Sequence, residues 1–165
     1  MTWDAYNRRK ESLRGMLAVK DAHRDLSLTE LIDATEGGRD AFPTDTDALF
    51  ELQMTWFQRL SGHMERLICE GQEDPGMVAV TAWVSTAADL PSVRALLDAH
   101  RDEPALRKAF AKELAYLATS AGVPPHRGQQ IQDSARRTWA TRAPSRQDDV
   151  HRGGLLSRLR NAIAA

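Results

Sequence analysis

Five histidines, one cysteine and 23 carboxylates are the groups in this chain that can carry chemistry. A metal centre needs His, Cys or carboxylate ligands recurring at short, fixed spacing. His23, His63, His100, His126 and His151 are scattered, and none belongs to a His-Glu-x-x-His or Glu-x-x-His motif. The adjacent carboxylates Asp148 and Asp149 fall in a polar, Gly-flanked segment rather than on an apolar helix face. There is no Gly-rich phosphate loop and no Gly-x-Ser-x-Gly nucleophile turn. The reading is a non-catalytic protein with no metal and no cofactor. Cys69 has no intrachain partner, and its apolar helical setting predicts inert packing in a reducing compartment.

A second set of residues points to binding rather than to reaction. Trp56, Phe57, Leu60 and Met64, followed by Met77 and Trp83, recur at helical spacing on two neighbouring segments. Methionines and aromatics so spaced pack a core, and they also line adaptable apolar pockets. Both readings apply here, and the second makes these six residues the candidates for a small apolar ligand. His63, between Leu60 and Met64, would supply a polar handle.

The elements that position these residues are helical. No alternating β-branched run and no Asn-Gly or Asp-Gly hairpin turn occurs. Leu13, Met16, Leu17 and Val19 predict a helix from about residue 3 to about 23. Ser27 with Glu30 forms a capping-box pattern before a short helix carrying Leu28, Leu31 and Ile32, which Gly37-Gly38 ends. Thr44, with Asp45 and Asp47 behind it, opens the strongest helix, residues 45–71. Leu49, Leu52, Trp56, Leu60, Met64, Leu67 and Ile68 form its stripe, and Phe50, Met54 and Phe57 widen it. A helix this apolar needs cover on more than one side. Further helices follow from Pro75 towards Pro91, through 91–103, 104–121 and 128–142. "LLSRLRNAIAA" closes the chain as a short amphipathic segment with Leu155, Leu159 and Ile163 on one side. These three are candidate docking residues for a partner chain or a sister subunit.

Charge is uneven along the chain. Residues 1–43 carry seven basic and eight acidic side chains, residues 44–123 seven and twelve, and residues 124–165 eight and three. The basic residues of the last segment are all arginines, which suits either a solvated tail or an acidic partner. No secretory signal and no apolar run of about 20 residues is visible, so a soluble, cytoplasmic protein without membrane contact is the expectation.

"RRKESLRGML" at 8–17, "SLTELIDAT" at 27–35, "FPTDTDALF" at 42–50 and "DLPSVRALLDAHRDEPALRKAF" at 89–110 stand in the order of parts of a bacterial regulator. With them the chain resembles the Tet repressor family, in its actinobacterial form, over most of residues 8–122. The resemblance implies a helix-turn-helix reader followed by a helical effector domain, a ligand pocket between effector helices, and a homodimer built on the last two of them. Those helices would be 104–121 and 128–142, where Arg136, Arg137 and Arg142 make a poor dry interface. One part departs from the family pattern. Between the second helix and Phe42-Pro43 stands only "EGGRDA", residues 36–41, which leaves room for one helical turn where a recognition helix belongs. A reading helix must present several side chains to base edges and needs Lys or Arg for phosphates.

These readings give an all-α, Tet-repressor-like bundle of about seven to nine helices in a single compact unit. Residues 1–43 form a degenerate helix-turn-helix-like region, 44–143 an effector-like domain, 144–154 a linker and 155–165 the amphipathic helix. The expected function is a ligand- or partner-responsive binding protein that self-associates as a homodimer. A genuine transcriptional regulator binding DNA as a dimer is the second reading, and a small helical enzyme the third.

Overall fold

A computed structural model describes residues 3–142, and all of them lie in helices or short connections. The linker and Leu155, Leu159 and Ile163 lie outside the described residues. Eight α-helices follow in order: α1 (Trp3–Ala22), α2 (Leu28–Asp33), α3 (Gly38–Ala41), α4 (Asp45–Cys69), α5 (Pro75–Asp89), α6 (Pro91–Ala99), α7 (Arg107–Ser120) and α8 (Gly128–Arg142). Single 3-10 turns, Pro104–Leu106 and Pro125–Arg127, lead into the last two. The described residues therefore form an all-α bundle, without strands.

Local chemistry sets the boundaries. The Ser27 hydroxyl accepts from the Glu30 backbone N–H at 3.3 Å, and the Glu30 carboxylate accepts from the Ser27 N–H at 2.8 Å. Thr44 and Asp47 repeat this exchange at the start of α4, at 3.2 and 3.1 Å. Each exchange satisfies two N–H groups that a helix start otherwise leaves without partners. Asp74 caps α5 through the N–H groups of Gly76 and Met77, with Pro75 at the first helical position. Gly71 closes α4 with a φ of 78°, a left-handed conformation that costs a residue without Cβ nothing.

α4 is the spine. Leu49, Leu52, Trp56, Leu60 and Met64 on it are fully buried, and α5 and α6 supply the largest cover. α8 packs on α5 and α7, while α1, α2 and α3 gather around the first turns of α4. Fully burying side chains of this size contributes roughly 1.5–3 kcal/mol each.

Three expectations from the sequence meet a different surface. The widened stripe of α4 is not fully covered among the described residues: Phe50 and Met54 are 46% and 53% exposed. Met77 is 50% exposed because the inward positions of the first turn of α5 fall to Val78 and Ala79. Cys69, at the end of α4, is exposed rather than packed, since the helix has by then run past the elements that cover it.

Candidate functional site

The segment between α2 and α4 is built from one short helix. α3 spans four residues, and Gly37 precedes it in a left-handed conformation at φ 65°. Gly38 lies so close under α2 that an added Cβ would stand 2.1 Å from the Ile32 carbonyl oxygen. The compact turn is thus locked against α2 by a residue that has no side chain. Its single base, Arg39, is spent internally. The guanidinium pairs with Asp33 through Nε and with Asp45 at 3.4 Å through Nη1, and it donates to the Thr29 carbonyl at 3.3 Å. The hydrogen bond from Arg39 holds the Asp33 carboxyl below its ordinary range. Between α1 and α3 lies an open cleft of about 810 Å³, with Arg8, Glu11, Ser12, Thr35, Glu36 and Asp40 on its walls. Arg9, beside it, is drawn to Glu51 at 3.6 Å and sits over the Phe42 ring.

The second feature is a charged hub inside the bundle. Glu113 on α7 is fully buried, and three neutral donors from three other helices converge on it. Gln53 of α4 donates at 3.0 Å, Gln132 of α8 at 3.0 Å, and the Trp83 indole of α5 at 3.3 Å. Arg94 of α6, 4% exposed, completes the convergence, with its guanidinium 3.7 Å from Glu113 and 2.7 Å from Asp98. Asp98 in turn receives Arg136 of α8 at 2.7 and 2.9 Å, so two cations and two anions balance. Arg94 lies 4.7 Å over the Trp56 ring and 5.9 Å from that of Trp83, which favours a desolvated cation.

The two arginines respond oppositely to this setting. Burial pulls Arg94 below its ordinary value, against the opposing pull of Glu113 and Asp98. Burial also works against Arg136, but its Asp98 hydrogen bonds and charge outweigh that and raise it. Arg94 Nε and Nη1, Trp56 Nε1 and Gln53 Oε1 are buried without a hydrogen-bond partner. Each such group carries a desolvation cost that the hub's hydrogen bonds and charge pairs must offset.

The structure brings some of the six ligand-pocket candidates together and separates others. Trp56 and Trp83 meet edge to face, with centroids 5.4 Å apart, and both are buried. Leu60 and Met64 are buried along the same row. Phe57 turns to the α7 side and packs on Tyr116, with centroids 5.1 Å apart, and Met77 points to solvent. His63 does not join them. Its Nε2 meets Asp89 at 2.9 Å, beside Arg59, and its Nδ1 meets Arg66 at 3.2 Å. The hydrogen bond from His63, followed by that from Arg59, lowers the Asp89 carboxyl.

Gln53, Arg94, Glu113 and Gln132 were not legible as a group in the sequence. The available signal was positional: Gln53 lies four residues after Leu49, and Glu113 four before Leu117, both on inward rows. Among the described residues no three His, Cys, Asp or Glu side chains gather to hold a metal, and no helix is long and apolar enough to cross a membrane. Comparison with protein-family models, with curated proteins and with solved structures found no match to this chain.

Proposed function

We propose that this chain is a non-catalytic, ligand- or partner-responsive binding protein, Tet-repressor-like in its order of parts, that self-associates as a homodimer and does not read DNA. The observation that carries the reading is the four-residue α3, whose only base is consumed by Asp33, Asp45 and the Thr29 carbonyl. A single helical turn cannot present the three or four side chains that base readout uses, and a neutralised guanidinium releases no counterions from phosphate. The hub favours a partner over a deeply buried ligand. Arg94 occupies the space beside Trp56 and Trp83, so a ligand at those residues would have to displace a buried cation from Asp98 and Glu113. A surface partner needs no such opening. Selection from a pool of random duplexes tests the reading: no sequence is enriched over input, whereas recovery of a short palindromic motif would point to a dimeric DNA-reading regulator.

A further inference from the structure

Four polar side chains of α4 stand in one row. Arg59, His63, Arg66 and Glu70 follow at four-, three- and four-residue steps, so they share one face of the helix. Asp89, the last residue of α5, closes the row. Its carboxylate accepts from Arg59 Nε at 2.7 Å and from His63 Nε2 at 2.9 Å. Arg66 Nη2 donates to His63 Nδ1 at 3.2 Å, while its Nη1 donates to both Glu70 oxygens at 3.0 and 3.1 Å. The His63 side chain is 14% exposed, and both guanidiniums are about half in solvent.

These neighbours decide where the imidazole carries its proton. A carboxylate only accepts, so Nε2 must hold a hydrogen for Asp89. A guanidinium only donates, so Nδ1 must present a lone pair to Arg66. One state of the ring meets both demands, the neutral Nε2–H tautomer. A second proton has one place to go, Nδ1, and there it faces a donor of like charge at hydrogen-bond distance. It therefore displaces the Arg66 contact. The Asp89 contact survives, because Nε2–H still donates and the ring then carries the opposite charge. Arg66 keeps Glu70, so its side chain leaves the ring without losing its counter-charge. A row of two cations and two anions becomes one of three cations and two anions.

No other ionisable group among the described residues is paired with the ring. Of the elements packed on α4, α5 brings Asp89. The Arg94 and Asp98 of α6 are held in the hub beside Trp56, two turns before His63. On α7, Glu113 faces Gln53 and Tyr116 faces Phe57. Glu65 of α4 lies towards Tyr116. The charges of α1 and α3 that reach α4 do so at Glu51 and Asp45. The hydrogen bonds from His63 and then Arg59 hold the Asp89 carboxyl below its ordinary value, so it is still ionised at about pH 5.

We propose that His63 is a proton-operated latch for Arg66: the neutral ring holds the guanidinium against α4, and a proton on Nδ1 releases it while the Asp89 contact stays. The latch goes beyond the proposed function and does not depend on it, since it makes the charge of one face of α4 respond to pH.

Urea unfolding of a double-mutant cycle tests it. The four proteins are the wild-type chain, His63→Ala, Arg66→Ala and the double variant, each at about pH 8 and about pH 5, on either side of the ordinary imidazole range. At the higher pH the coupling of His63 to Arg66 should favour the fold, as a roughly two- to fivefold factor in the unfolding constant. At the lower pH that factor should fall to about one or below. A second cycle, with Asp89→Ala in place of Arg66→Ala, should keep a favourable factor at both. A third takes His63→Asn as its parent. The amide oxygen there accepts from Arg66 in place of Nδ1 and does not titrate, so its coupling to Arg66 should be equal at the two pH values. An Arg66 coupling in the wild-type chain that is unchanged by pH, or absent at both, would overturn the latch. A loss at low pH that the His63→Asn cycle shares would overturn it too, because the proton would then act elsewhere.

Discussion

Glu113 holds its place through what surrounds it rather than through solvent. Three neutral donors and one guanidinium face it, from α4, α5, α6 and α8. Removing the carboxylate leaves Arg94 without its buried counter-charge and orphans Gln53, Gln132 and Trp83 together. Glu113→Ala should therefore destabilise the fold by about 3–5 kcal/mol, and Arg94→Met, which leaves a fully buried carboxylate without a cation, should cost a comparable amount. The double variant Arg94→Met/Glu113→Leu should recover much of the loss, because an apolar pair has no charge to desolvate. Urea unfolding of the four proteins gives the comparison, and a Glu113→Ala variant as stable as the parent would refute the hub's structural role.

Asp89 makes a pH-dependent contribution of the opposite, exposed kind. Its carboxyl is lowered by His63 and Arg59, so its stabilisation is present above the ordinary Asp range and is lost as pH falls through the lowered folded value. Melting temperatures of wild-type and Asp89→Asn should differ near neutrality and converge only as pH falls from the ordinary Asp value of about 4 through the lowered folded one. A gap that widened on acidification would contradict that sign.

At the scale of elements, caps and breakers matter most. Ser27→Ala and Thr44→Ala should each cost about 1 kcal/mol, read from the chemical-denaturation midpoint. Gly38→Ala should cost more, about 1–3 kcal/mol, because its Cβ meets backbone of α2 that has nowhere to move. Equal effects at all three positions would mean that α3 is not pinned to α2. These elements were legible because caps, prolines and the apolar period all act within one turn of chain. The start of α4 at Asp45, that of α5 at Pro75 and the single turn allowed by "EGGRDA" follow from such local signals.

What was not legible depends on neighbours that no local pattern names. The stripe of α4 is continuous in sequence, yet α5, α6 and α1 cover only part of its circumference, which leaves Phe50 and Met54 outside. Met77 looks like a core residue until the register of α5 hands its role to Val78 and Ala79. The hub was hidden for the same reason. A glutamate, two glutamines and an arginine spread over four helices become one network only once those helices pack.

At the scale of the whole molecule, the module that occupies the place of a DNA reader is slightly acidic, with eight acidic and seven basic residues over 1–43. Arg9 and Arg39 are engaged by internal partners, and in the open cleft Arg8 stands among Glu11, Glu36 and Asp40. Duplex DNA is a polyanion, and non-specific affinity for it comes almost entirely from neutralised phosphates. On the proposed reading, this face offers phosphate few uncommitted cations and offers base edges only a four-residue helix. The measurement that bears most directly on this is a gel shift on random duplex, repeated from about 50 to about 200 mM salt. The expected result is no retarded species at low micromolar protein at either end of the range. Micromolar binding at low salt that fell by orders of magnitude across it would show that this chain does bind DNA, and the account would be wrong.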